Sequence, residues 1–198
     1  MQEILQQTSW QEWLGVCFSV FQVLLARKNN SNNYLFGIAG ISLSLYVMFF
    51  AKLYAEFTLN LYYLVMSIYG WLYWKFGKQQ SETAISETTH HEKIIAVGIV
   101  AGTFSLFWYF LTQFTDSDVP VLDSLVSAFA WAGMWLMARR KIENWVLLNM
   151  SNIIAIPLLI HKGLYLYAVL TAFLFIVAIS GYLEWRKIIK SKNLTVVE

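Results

Sequence analysis

The sequence predicts an all-α integral membrane protein of seven transmembrane helices, and three observations carry that expectation. The chain has 198 residues, of which 58% are hydrophobic and only 13% charged, a charged share about half that of ordinary soluble domains. A chain of this length cannot bury so much apolar surface in a water-soluble core. The apolar residues fall into seven continuous runs close to the roughly 20 residues that cross a bilayer, without the alternation of barrel strands. Finally, Lys and Arg gather at alternate run ends.

The runs cover residues 10–26, 34–51, 57–76, 93–113, 121–138, 142–160 and 164–185. The first follows MQEILQQTSW, which has no cationic start and no small-residue cleavage pattern, so a removable signal is not expected. Cys17 lies in that run as the single cysteine, which excludes a disulfide framework or a cysteine metal cluster. The second run, FGIAGISLSLYVMFF, is among the plainest, and the third, YYLVMSIYGWLYWKFG, closes on Gly70, Trp74 and Lys75. Next comes GKQQSETAISETTHHEKI, polar and without apolar period, which reads as an exposed linker. His90 and His91 there have no further ligand in sequence and read as solvated side chains rather than a metal site. The sixth run, ENWVLLNMSNIIAIP, is the most polar, with Asn149, Asn152 and Pro157. The seventh closes on Gly181, Trp185 and Arg186.

Orientation follows from Lys and Arg. Arg27, Lys28, Lys75, Lys78, Lys93, Arg139, Arg140, Lys141, Arg186, Lys187, Lys190 and Lys192 share one side, against Lys52 and Lys162 on the other. The N-terminus is therefore expected outside and the C-terminus in the cytoplasm. The cations sit dispersed at run ends, which gives no footprint for nucleic acid.

The two Gly–Trp–cation endings belong to a wider pattern. An offset of 111 pairs Asn33 with Asn144, Leu53 and Tyr54 with Leu164 and Tyr165, Ile68 with Ile179, Gly70 with Gly181, Trp74 with Trp185 and Lys75 with Arg186. Such self-similarity predicts repeated bundles. The expected plan is a first three-helix bundle over 1–76, a cytoplasmic linker over 77–92, a linking helix over 93–113, a second three-helix bundle over 121–185 and a cytoplasmic tail over 186–198. That is a 3+1+3 parallel repeat of the SWEET-like kind.

Repeated membrane bundles commonly enclose a midplane site, so polar and aromatic residues sharing a helix face are the candidates. Trp145, Asn149, Asn152 and Ile156 follow helical spacing on the sixth run, as do Asn60, Tyr63, Ser67, Gly70 and Trp74 on the third. The fourth run offers Ser105, Trp108, Tyr109 and Thr112 with Gln113 beyond, and the fifth Ser124, Ser127, Trp131 and Trp135. The expected substrate contacts are Trp145, Asn149, Asn152, Asn60, Tyr63, Trp108, Gln113 and Trp131, with Pro157 as a candidate hinge. Isolated Ser and Asn in membrane helices also serve as interhelical hydrogen bonds. No Asp, Glu, Lys, Arg or His stands near the middle of a run, which disfavours ion-coupled pumping. No P-loop, metal-ligand pair or nucleophile with a neighbouring base is present. A transporter of a small polar aromatic molecule therefore stands ahead of a membrane enzyme or sensor, with no cofactor expected.

The block from Asn60 to Lys75, NLYYLVMSIYGWLYWK, together with ENWVLLNMSNIIAIPLLIHKGLYLYAVL, resembles the Pnu-type bacterial vitamin transporters, which take up nicotinamide riboside, thiamine or riboflavin. The resemblance spans nearly the whole chain. The nicotinamide riboside pattern Trp-x-x-Trp-x-x-x-Asn is matched by Trp145 and Asn152, while Leu148 stands at the second Trp. The resemblance thus implies thiamine transport ahead of nicotinamide riboside. It further implies facilitated diffusion across the bacterial inner membrane, trapping by a cytoplasmic vitamin kinase and a homotrimer with one path per protomer.

Overall fold

The computed structural model describes residues 10–50, 54–76 and 85–195, which form seven helices. These are α1 (Trp10–Arg27), α2 (Asn33–Phe50), α3 (Tyr54–Phe76), α4 (His90–Phe114), α5 (Pro120–Ala138), α6 (Asn144–His161) and α7 (Tyr165–Thr195). Even the shortest have 18 residues, about 27 Å at 1.5 Å per residue, which matches the hydrocarbon thickness of a bilayer. Among the described residues, α4 to α7 are each long and apolar enough to cross a membrane. Lys52 and Lys78, used above for orientation, lie outside the described residues.

The chain divides after residue 83 into two compact units. In the first, α2 packs against both α1 and α3. Helix α1 ends where Asn29 takes the left-handed region, φ 54°, which Asn tolerates better than most residues. The Asn29 and Asn30 amides then donate back to the carbonyls of Ala26 and Leu25, both at 2.9 Å. The Asn33 side chain donates to the Asn30 carbonyl at 2.7 Å and opens α2. At the same corner, Tyr34 lies edge-on to Trp74, centroids 5.1 Å apart, over Gly70, where a Cβ would come within 2.5 Å of the Tyr34 ring.

The second unit builds the same corner 111 residues on. Arg140 has φ 55°, the Arg140 and Lys141 amides donate to the Met137 and Leu136 carbonyls, and the Asn144 side chain donates to the Lys141 carbonyl. Trp145 lies edge-on to Trp185 at 5.5 Å, and a Cβ on Gly181 would stand 2.8 Å from Trp145 ring carbons. Helix α6 is seated on α5 by the Ser151 hydroxyl, which donates to the Val126 carbonyl at 2.8 Å. Helix α4 rests on α5 through Phe107, edge-on to Trp131 at 5.2 Å.

Two expectations are corrected here. The fourth helix is no free linker between two triplets: it packs along α5 inside the second unit, so the chain groups as three helices and four, and the SWEET-like 3+1+3 arrangement does not describe it. The reason lies in the segment expected to be an exposed linker. Ile85 is buried, and the Ser86 amide donates to the Arg140 carbonyl while the Ile142 amide donates to the Ser86 carbonyl. Thr89 and Glu92 form a reciprocal capping box that starts α4, as their Thr-x-x-Glu spacing allows. Glu92 also pairs with Lys141 at 3.0 Å and Arg139 at 3.3 Å. At the far end, α7 continues to Thr195, past the expected end of the seventh run. Pro157 lies within α6, which carries on to His161.

Candidate substrate site on α6 and α7

Along α6 the buried residues are Asn144, Trp145, Ser151, Ala155 and Leu158, the stripe that meets the neighbouring helices. Beside this stripe, Asn149 lines an open, largely apolar groove of about 370 Å3 between α6 and α7. Trp145, Val146, Asn149, Met150 and Ile153 form its α6 wall; Phe175, Ile179, Tyr182 and Leu183 form the α7 wall. None of these carries a charge. Asn152 stands one turn from Asn149, and its amide nitrogen reaches the Asn149 Oδ1 at 3.5 Å, a weak contact that leaves most of both amides' capacity for a ligand. The Trp145 ring is almost wholly buried, with 1% of its surface exposed, and its Nε1–H has no acceptor among the described residues.

The structure therefore brings Trp145, Asn149 and Asn152 into one neighbourhood. Trp131 sits apart, stacked edge-on under Phe107. Trp108 is exposed on α4, as is Gln113; the buried face of that helix is Ala96, Thr103 and Phe107. Asn60 and Tyr63 belong to α3 in the first unit, where the Asn60 amide approaches the Met48 sulfur at 3.4 Å. Phe175 and Tyr182 were not among the sequence candidates. Their seven-residue spacing puts them on one face of α7, a signal hidden in a helix that is aromatic and aliphatic almost throughout. Among the described residues no group of three His, Cys, Asp or Glu could hold a metal ion.

Long apolar helices packed within two units define a multi-pass membrane protein, and its family makes it a transporter. Residues 9–187 match the family model described as nicotinamide mononucleotide transporter, and the chain belongs to that family. It is similar to the nicotinamide riboside transporter PnuC of Escherichia coli K12, at 23% identity over 203 aligned residues covering 89% of this chain and 85% of that protein. It is also similar to the nicotinamide riboside transporter PnuC of Neisseria mucosa, at 26% identity over 206 aligned residues covering 92% and 74%. The crystal structure of the vitamin B3 transporter PnuC superposes with a TM-score of 0.73 at 24% identity, covering 95% of this chain and 85% of that one. The chain is thus a multi-pass membrane transporter.

These relatives overturn the thiamine assignment, since they are transporters of nicotinamide riboside and vitamin B3. The fold they share with the chain likewise replaces the SWEET-like repeat. The structure explains why Leu148 misled. Its side chain packs onto Gly133 of α5, where an added Cβ would meet Leu148 Cδ2 and Cγ at 2.9 Å. Leu148 reports the close approach of α5 and α6, not the identity of the vitamin.

Proposed function

We propose that the chain carries nicotinamide riboside into the cell by facilitated diffusion, with α6 as the substrate-contacting helix. The observation that supports this most directly is the uncharged wall of Trp145, Asn149, Phe175 and Tyr182, with Asn152 beside it. A pyridinium gains about 0.5–2 kcal/mol from an aromatic face, and the Asn amides match a carboxamide or ribose hydroxyl in both donor and acceptor roles. The family description names the mononucleotide, but a phosphate calls for Arg or Lys, and no cation lines this groove. The riboside fits better than its phosphate.

Pro157, whose missing N–H frees a carbonyl one turn earlier, stands as a hinge in this proposal. The Lys and Arg distribution supports an N-terminus outside and a C-terminus in the cytoplasm, where a vitamin kinase would trap the cargo. The family resemblance supports a homotrimer. Calorimetric titration of the purified protein with nicotinamide riboside, its mononucleotide and thiamine tests the reading. The riboside should bind at least roughly tenfold tighter than either competitor, a gap of about 1.4 kcal/mol; preference for the mononucleotide or thiamine would overturn it. Uptake into proteoliposomes should follow the substrate gradient and ignore imposed pH or sodium gradients.

A further inference from the structure

The α5–α6 turn at residues 139–143 is held from outside itself. Arg140 occupies the left-handed region, where an L-residue with a long side chain is disfavoured and Asn or Gly is the usual choice. The equivalent turn of the first unit has Asn29 there, and its own Asn-rich segment supplies bonds to it: the Asn32 amide donates to Asn30 Oδ1 at 2.9 Å, and the Asn33 side chain to the Asn30 carbonyl. In the second unit the support arrives from residues 85–92. Ser86 bridges the backbone on both sides of Lys141, and the Lys141 ammonium donates to the Ser86 hydroxyl at 3.0 Å. Glu92 pairs with Lys141 and Arg139. Both carboxylate oxygens of Glu143 accept from the Thr88 amide at 3.0 Å. Glu143 is also the residue whose carbonyl receives the Val146 and Leu147 amides in the first turn of α6.

We propose that residues 85–92 are a latch that positions α6 for substrate, with Glu92 and Glu143 as positioning residues that act through the turn at Arg140 on Trp145 and Asn149. The strap holds a turn that its own sequence disfavours. Releasing it lets the start of α6 fray and turns the Trp145 ring away from its seat on Gly181, which displaces Asn149 one turn further along. The effect on affinity rests on the transport reading given above; the effect on α6 does not.

The test uses the full-length purified protein with Glu92→Gln and Glu143→Ala combined. Gln at 92 keeps the capping box, since an amide oxygen still accepts from Thr89, while both ion pairs are lost. Hydrogen exchange at the amides of residues 145–147 should accelerate, and nicotinamide riboside affinity should fall roughly tenfold. Adding Arg140→Gly, which makes the left-handed turn intrinsically comfortable, should restore both readouts. Glu143→Gln alone, which keeps an acceptor for the Thr88 amide, should retain near-normal affinity. If the combined variant is too unstable to purify, Glu143→Ala alone with and without Arg140→Gly carries the same contrast. Unchanged exchange at 145–147 overturns the latch whether or not the vitamin binds. Faster exchange with unchanged affinity for a riboside that the wild type binds also overturns it. If the wild type binds no riboside, the transport reading fails, and recovery of the exchange rates by Arg140→Gly alone decides the latch.

Discussion

The two corners built around Asn33 and Asn144 share a backbone and differ in what keeps it. Both put a left-handed residue before an Asn that opens the next helix and donates its side-chain amide back to the turn, and both seat an aromatic ring over a glycine and against a Trp. The first corner carries bonds within its own Asn-rich segment, from the Asn32 amide to Asn30 Oδ1 and from the Asn33 side chain to the Asn30 carbonyl. The second replaces the Asn-rich stretch by Arg-Arg-Lys and draws its support from a strap about 55 residues earlier in the chain. It also leads into a different helix. The positions that are Asn149 and Asn152 on α6 are Ile38 and Ile41 on α2. The second corner thus leads into a helix that carries amides where the first leads into one that carries aliphatic side chains.

Trp185→Ala should break the second corner hardest. The ring is fully buried, and removing a buried Trp costs about 3–5 kcal/mol; a bilayer contributes no hydrophobic drive between helices, so the lower end is expected, as lost packing. Thermal unfolding in detergent measures it, and a loss below about 1 kcal/mol would mean that the corner is not a packing centre. The matching Trp74→Ala, at a slightly more exposed site, should cost less. Next come the glycines. Gly70→Ala and Gly181→Ala each place a methyl inside an aromatic ring's contact distance, and overpacking of that kind costs about 1–3 kcal/mol. Gly70→Ala should be the worse, since its methyl would stand 2.5 Å from Tyr34 against 2.8 Å from Trp145. The opposite order in melting temperature would show that the second corner is the more rigid.

The corners explain what could and could not be read in advance. Seven helices were legible because each apolar run has the length a bilayer imposes, and the end of α3 was legible from its Gly–Trp–Lys ending, while α7 runs on past its own to Thr195. The 111-residue correspondence was legible because close packing demands glycine beneath a ring and so leaves fixed letters. The strap was not legible. Ile85 is one apolar residue in a polar stretch, and its partners at 140–143 lie across two helices, so no local period marks it. The grouping of α4 with the second unit was lost with it. At the candidate site, the Trp145–Asn149–Asn152 face was visible as helical spacing, but which α7 residues oppose it was not, and Leu148 was read as a mark of which vitamin is carried when it packs on Gly133.

Asn152→Leu sharpens the contrast between α6 and α2. If Asn152 contacts the vitamin, the substitution leaves a buried polar group of the ligand unpaired, at about 1–3 kcal/mol or roughly 5- to 150-fold in affinity. The same measurement on Ile41→Asn, its counterpart, should give no gain in affinity, since α2 is read as a packing helix. Titration of Asn152→Leu at near wild-type affinity with a lowered melting temperature would return Asn152 to a structural role.

The smallest expected effect lies at the opposite end of α6. His161 meets Asp118 at 2.8 Å, and beside them Lys162 pairs with Asp123 at 2.6 Å; the equivalent turn of the first unit falls at residues 51–53, outside the described residues. The hydrogen bond from His161 holds the Asp118 carboxyl below its ordinary range, with a lesser opposing contribution from burial and further lowering from its backbone bond and from the charges of His161 and Lys162. A depressed carboxylate contributes stability that is present above its unfolded value near pH 4 and is lost as pH falls through the folded value. The melting temperature of the wild type should therefore exceed that of Asp118→Asn by a small margin near neutral pH, and the two should converge in acid. Because both side chains are more than half exposed, solvent screening keeps the margin small, and salt should shrink it further. A margin that instead grew below pH 4 would have the wrong sign for this pair and would remove Asp118 as its source.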